Sequence, residues 1–348
     1  MKKILSFIFS LAMFLSISAP ALADSLDTKP SDAEIYRYLI DAGYSEEFIE
    51  ALDDELRLEY YNGQYQFESV GTTRGIFTED HKVEFSVNDS GKIVIDEQNL
   101  KNLEAFLNDK ASVEKVLESK VEADETFALS SATGDAVLSA DDVDDINANA
   151  IINAVEIGEI PIEIMTLTNW NASITCSHIS YNKTTKVAKK KLTYTWKWSY
   201  APVWNLTDKA AMAWNGGFVM DETTFYWTYV RRVRYSNVYR NHTESGRKFN
   251  EYNLNGGVAK AIDIKAAGAG ASTKYHSGSI SANIIQKKYR DTRCAAIGRY
   301  YHKEYLPKLS LSFSIGGGGA PIIAVVSFEG TYDTSSDSAV TFWSTKSG

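Results

Sequence analysis

The stretch Leu192-Thr-Tyr-Thr-Trp-Lys-Trp-Ser-Tyr200 leaves little choice of backbone. Aromatic and β-branched side chains lose rotamer freedom in a helix and pack well on a pleated surface. On a strand, successive side chains point to opposite faces. Tyr194, Trp196, Trp198 and Tyr200 therefore share one face, and Thr193, Thr195, Lys197 and Ser199 the other. From Phe225 to Tyr235 the alternation repeats, with Phe225, Trp227 and Tyr229 on one side. Between 161 and 348 about ten strand-length segments alternate with Gly, Asn, Ser and Asp punctuation, the pattern of an antiparallel sandwich or barrel. The segment 162–167 reads as the first of these strands. Asp208 to Ala213 reads as a short helix or a hairpin edge.

The chain ahead of that region has a different texture. Lys2 and Lys3, an apolar run from Ile4 to Ala19 and Ala21-Leu22-Ala23 make an export signal cleaved after Ala23. The start and the simple export pattern point to a secreted, extracellular product of a Gram-positive bacterium. Residues 24–160 carry 33 acidic and 10 basic residues, a balance of −23. Residues 161–348 carry 12 and 24, a balance of +12, and hold every tryptophan and both cysteines. Such asymmetry speaks of association rather than of fold.

Helix signals open the acidic region. Ser31 with Glu34 is a capping box, Ser45 opens a second helix, Asp53 or Asp54 a third, and Asp96 a later one. Tyr65 to Val70, Val83 to Val87 and Lys92 to Ile95 read as strands, the last two joined by the turn Asn88-Asp89-Ser90-Gly91. The expected fold class is α+β. A signal peptide occupies 1–23, an acidic helical domain 24–121 and an acidic linker with a short helix 122–160. An antiparallel β-sandwich or barrel-like domain occupies 161–348.

Cys176 and Cys294 are expected to form a disulfide, as two cysteines in an exported chain commonly do. Chain-entropy arguments give such a long loop about 4–5 kcal/mol. Catalytic motifs are missing: there is no G-x-S-x-G, no H-E-x-x-H and no P-loop. The five histidines are scattered, and no cofactor or metal is expected. Asp141, Asp142, Asp144 and Asp145 resemble a calcium loop in composition only.

The leading functional expectation is a non-enzymatic protein whose basic β domain binds an anionic cell-wall polymer, a glycan or a membrane surface. The compartment disfavours nucleic acid. The candidate contact residues are the aromatic face Tyr194, Trp196, Trp198 and Tyr200 and the basic runs Lys189, Lys190 and Lys191 and Arg231, Arg232 and Arg234. The same aromatic face would equally serve as a sandwich core. A further expectation is internal: the acidic half docks on the basic half and masks it.

Two alternatives carry different chemistry. One is a β-pore-forming toxin or antimicrobial protein restrained by the acidic region, with small and polar residues of 256–286 alternating as in an inserting hairpin. The other is a hydrolase with a carboxylate pair drawn from Glu222, Glu251, Asp263 and Glu304.

Overall fold

The computed structural model describes residues 29–78, 80–88, 92–123, 138, 143–144, 146–199, 207–215, 217–236, 238–265, 271–287, 293–302, 310–315, 324–329 and 334–343. The export signal, Tyr200 and Glu304 lie outside these residues.

Three short helices come first: α1 (Asp32–Asp41), α2 (Glu46–Ala51) and α3 (Asp54–Asn62). Their starts are fixed by side-chain caps, because the first backbone N–H groups of a helix have no partner within it. Glu34 N–H donates to Ser31 Oγ while the Glu34 carboxylate accepts from Ser31 N–H, closing the capping box. Phe48 N–H donates to Ser45, and Leu56 N–H to Asp53. Ile35, Leu39, Phe48, Ile49, Leu56 and Tyr60 close into a small buried cluster.

A long strand follows, β1 (Gln66–Phe77), then β2 (Lys82–Val87) and β3 (Ile93–Val94). Helices α4 (Glu97–Asn108), α5 (Lys110–Ala123), α6 (Ala148–Glu156) and α7 (Ile162–Leu167) come next. Leu103, Phe106, Val113, Leu117, Ile151 and Leu167 of these helices pack with Ile76, Val83 and Phe85 of the strands. The segment expected to be the first strand of the β region is thus α7. Leu167 and Ile164 are buried on its inner side, and Pro161 starts it at the N-cap.

The remaining elements are strands: β4 (Trp170–Asn182), β5 (Val187–Trp198), β6 (Thr207–Trp214), β7 (Phe218–Met220), β8 (Tyr226–Tyr235), β9 (Val238–Gly246), β10 (Glu251–Asn253), β11 (Gly257–Asp263), β12 (Ala271–Gln286), β13 (Arg293–His302), β14 (Ser310–Ile315), β15 (Ala324–Glu329) and β16 (Thr334–Trp343). Among the described residues they form an antiparallel nine-stranded sheet ordered β3-β2-β1-β4-β5-β12-β8-β9, with β7 on β12. A five-stranded antiparallel sheet is ordered β10-β11-β6-β13-β16, and β14 and β15 pair as a ribbon.

This topology corrects the expected division of the chain. β1, from the acidic part, runs antiparallel to β4 from Gln66↔His178 to Gly75↔Trp170. It lies inside the large sheet, so 24–121 is not a domain separate from 161–348. Phe77 at its end joins the same core as Trp170 and Trp198.

That core fills the space between the two large sheets. Ile174, Tyr194, Trp196, Ile280 and Tyr229 enter from one side, and Ala210, Met212, Ala296, Tyr300 and Val340 from the other. The aromatic side chains need room, and glycine supplies it. A Cβ on Gly298 of β13 would stand 2.1 Å from Tyr194 Cδ2, and one on Gly278 of β12 2.4 Å from Trp196 Cζ2. Neither ring has space to retreat in a close-packed interior. Gly298→Val is therefore expected to lower stability by about 2 kcal/mol, read as a reduced urea midpoint at unchanged slope. An unchanged midpoint would show that the sheets part freely at Tyr194.

Candidate functional site

The structure sorts the sequence candidates by burial. Tyr194, Trp196 and Trp198 are in the core, at 0%, 1% and 4% exposure. They offer no platform to a ligand. Trp170 packs at a tilt against Trp198 at 4.5 Å between ring centroids, and Tyr300 lies 5.4 Å from Trp196. These contacts explain the alternation of the central stretch as sandwich packing.

Lys190 and Lys191 are also buried, both at 0%. Consecutive residues of a strand point to opposite faces, and each lysine meets a carboxylate from the acidic region. Lys190 pairs with Glu68 of β1, and Lys191 Nζ lies 2.7 Å from Glu59 Oε1 of α3. Lys189 stands 3.9 Å from Asp221. Tyr226 donates to Asp53 at 2.6 Å, Tyr60 meets Thr193 at 2.7 Å, and Arg247 pairs with Glu55. The first helices thus sit on the large sheet through acidic-on-basic contacts, the internal docking that the charge asymmetry suggests. The sequence expectation that these lysines face a ligand is corrected by the same contacts.

The expected Cys176–Cys294 disulfide is not formed: both residues are buried thiols in the core between the sheets. Burial raises the pKa of each, Cys294 to about 11. Such thiols are poor nucleophiles.

The arginine run has a different fate. Arg232 and Arg234 of β8 lie on the face opposite the aromatic core, which is the face of Lys197. Register brings partners to them from two neighbouring strands. Arg232 is opposite Tyr275 of β12 and Asn241 of β9, and Arg234 is opposite Tyr239 of β9. A β-bulge between Thr273 and Tyr275 sets Tyr275 on this face while Thr273 stays opposite Val233.

The result is a ladder of cations and rings across four strands. Lys197 Nζ is 5.0 Å from the centre of Tyr275. The Arg232 guanidinium is 6.0 Å from Tyr275 and 5.2 Å from Tyr239, and that of Arg234 is 5.8 Å from Tyr239. Each ring face attracts a cation, and the sharing holds the long basic stems in place. Arg234 is fixed further by donating Nε to Ser236 O at 2.8 Å. All five side chains are half-buried, with one side to water. Among the described residues the rungs facing Arg232 and Arg234 hold Tyr275, Ser272, Asn241 and Tyr239 but no carboxylate. Arg231 points to the other face, where its Nη1 donates to Lys265 O at 3.1 Å.

Sequence reasoning finds Arg232 and Arg234 but misses Lys197, Tyr239 and Tyr275. The three belong to separate strands, and their shared face exists only once the register is known. The usable signal is weak: Tyr239 follows the arginine run after a short turn, at the hairpin distance that places it beside Arg234.

A second polar cluster lies at one end of the core. Asp208, at 0% exposure, accepts from the Tyr300 hydroxyl and lies 3.0 Å from His302 Nδ1. The Tyr229 hydroxyl meets His276 Nδ1 at 2.6 Å, and the Lys265 N–H donates to the same hydroxyl at 3.4 Å. The Tyr229 oxygen accepts from Lys265 and shares a second hydrogen bond with His276 Nδ1. Burial, with Arg231 and His302 adding to it, pushes the His276 pKa down to about 3. This imidazole is therefore neutral at ordinary pH. Among the described residues no three His, Cys, Asp or Glu side chains converge as metal ligands.

Of the four carboxylate candidates, Glu222, Glu251 and Asp263 are among the described residues. Glu251 is held by Lys209 at 2.8 Å and lies opposite Ala259 on β11. Asp263 is four residues farther along that strand, about 13 Å away, outside the separation of a glycosidase pair. Glu222 sits in a turn before β8. The alternating segment 256–286 is not a hairpin either: β11 belongs to the five-stranded sheet and β12 to the centre of the large one. No described helix is long and apolar enough to cross a membrane.

No protein-family model matches this chain, and no curated protein matches its sequence. Solved structures with some likeness include two adhesin chains. One is the collagen-binding domain from a Staphylococcus aureus adhesin, 14% identical, covering 34% of this chain and 79% of that one, with a TM-score of 0.22. The other is the collagen adhesin of S. aureus, 13% identical, covering 47% and 67%, again with a TM-score of 0.22. A superposition at that score carries no argument about ligand.

Proposed function

We propose that this protein is a non-enzymatic binding protein of the cell exterior whose ligand is an anionic polymer surface. The observation that carries the reading is the Lys197–Tyr275–Arg232–Tyr239–Arg234 ladder. Three cations share one sheet face, and the described rungs opposite the two arginines hold no carboxylate. The basic stems are pre-ordered by the rings, so binding an anion freezes little that is not already fixed. Guanidinium groups offer planar, forked donors suited to phosphate, sulfate or carboxylate groups. The spread over four strands suits an extended chain of charges better than a single small anion. The export pattern of residues 1–23 favours a ligand outside the cell.

Co-sedimentation with purified Gram-positive cell wall, anionic liposomes and neutral polysaccharide tests this. Retention on an anionic matrix at low salt, lost as ionic strength rises, is expected. Arg232→Ala with Arg234→Ala should weaken it by about tenfold or more, at the 1.5–3 kcal/mol typical of charged hydrogen bonds. The reading fails if the unaltered protein is retained on none of the matrices, or if the double variant binds as well as it does.

A further inference from the structure

The large sheet ends at β9, and this strand is open. Among the described residues nothing pairs with its outer side. Every residue from Val238 to Ser245 except Tyr239 is exposed. Its pairing with β8 runs without a bulge from Tyr235↔Val238 to Trp227↔Gly246. The strand contains no proline and no lysine. Natural sheets blunt a free edge with just such devices, since an unpaired row of N–H and C=O groups is a template for another strand. The charged side chains of β9 are a single pair of opposite sign, Arg240 and Glu244, so the long regular edge stays open to another strand.

The strand is also complementary to itself. When two copies of Val238–Gly246 are laid antiparallel at full overlap, His242 meets His242 on the two-fold axis. Val238 then falls opposite Gly246, Tyr239 opposite Ser245, and Asn241 opposite Thr243. The strand's one cation, Arg240, falls opposite its one anion, Glu244, whose other partner is Lys265 of its own chain, and the symmetry makes that contact twice. Moving the register by one residue in either direction removes both pairs, and a slip of two residues in one direction sets Arg240 against His242. Directly opposed residues of unlike charge stabilise a strand pair and like charges oppose it. A two-fold interface requires this kind of self-complementarity.

We infer that the partner of β9 is β9 of a second copy of this chain, joined edge to edge into one continuous sheet. The two-fold axis is then perpendicular to the sheet. Both copies present the Arg232–Tyr239–Arg234 face on the same side, so the two ladders adjoin. The inference does not depend on the ladder binding anything, since it rests on the edge and its charge order.

Sedimentation equilibrium of the whole protein reads the association, with the surface variants Arg240→Glu and Glu244→Arg as probes. The unaltered chain is expected to dimerise with concentration. Each single variant opposes like charges twice and should weaken the dimer by about tenfold. An equimolar mixture of the two variants restores both unlike pairs across the interface, so a mixed dimer should form where neither variant associates alone. A monomer at every attainable concentration overturns the inference. So does a dimer that Arg240→Glu leaves unchanged, because its interface would lie elsewhere.

Discussion

Glu59→Gln is expected to destabilise the protein by about 3 kcal/mol, and adding Lys191→Met is expected to recover most of the loss. The asymmetry follows from where the two charges sit. The Lys191 side chain is at 0% exposure, whereas that of Glu59 is at 29%. Around the ammonium are the Glu59 carboxylate at 2.7 Å and the rings of Tyr60 and Tyr65 at 5.7 and 5.8 Å. Burial lowers the pKa of Lys191, and the charge and hydrogen bond of Glu59 oppose it without overcoming it. Removing the carboxylate leaves a charge in a dry site without its anionic partner. Removing both partners leaves a methionine in an apolar setting, which is close to neutral. The sign with pH is also set. A lysine whose folded pKa lies below its unfolded value gains stability as pH rises between the two, because the unfolded chain holds the proton longer. Without Glu59 that window widens downward, so Glu59→Gln should recover stability on raising pH more than the unaltered protein does. Urea unfolding of the two single variants and the pair decides it. If Glu59→Gln unfolds within about 0.5 kcal/mol of the unaltered protein, water reaches Lys191 and the burial argument is wrong.

That ion pair also shows where a reading of sequence stops. The run Lys189-Lys190-Lys191 looks like a solvated edge, because nothing near it in the chain is acidic. Its carboxylates come from Glu59 and Glu68, more than a hundred residues earlier. Local signals fared well by contrast. The caps at Ser31, Ser45, Asp53 and Asp96 form as their spacing requires. The alternation through Tyr194, Trp196 and Trp198 gives the strand and its inward face. What failed was non-local pairing. Tyr65 to Val70 reads as a strand, but glycines at 71 and 75 break the alternation, so nothing shows that it runs on to Phe77 or lies beside β4. Gly71 is needed because a Cβ there would stand 1.8 Å from the Ala339 carbonyl oxygen of β16. Thr207–Trp214 is rich in alanine and reads as helix by propensity, yet it is a central strand of the five-stranded sheet. β9 lacks any apolar period because it is an exposed edge, and its polarity hides it as a loop.

The candidate site divides the same way. The arginines of β8 stand out as a charge run, while their selection from the lysines depends on which cations find an internal carboxylate. Lys190 and Lys191 do, and among the described residues Arg232 and Arg234 meet only rings and a backbone carbonyl in the contacts that define the ladder. Charge count alone cannot make that distinction, because the acidic partners are set by the fold.

Acid should destabilise this protein in part through a single buried imidazole. His276 is at 0% exposure with a pKa of about 3, against an ordinary value of 6.5. Its Nδ1 shares a hydrogen bond with the Tyr229 hydroxyl, and the ring stacks on that tyrosine at an interplanar angle of 9°. Arg231 and His302 disfavour a second positive charge there, and Asp208 is already occupied by Tyr300 and His302. A folded pKa below the unfolded one means that the unfolded chain binds the proton first. The contribution of His276 is therefore intact above about pH 6.5 and is lost as pH falls toward 3, at about 1.4 kcal/mol for each step of one in pH, for a total of about 4–5 kcal/mol. His276→Gln keeps a hydrogen-bonding group for Tyr229 but does not titrate, so it should cost stability at neutral pH and progressively less in acid. The difference between the two urea profiles cancels the carboxylates, which titrate alike in both. It should shrink by about 2–3 kcal/mol between neutral pH and about pH 4.5, because that range spans about two steps of pH below the unfolded pKa of the imidazole. Parallel profiles would mean that His276 charges freely in the fold, which would require water or an acceptor at Nε2 and would make the end of the core an open site.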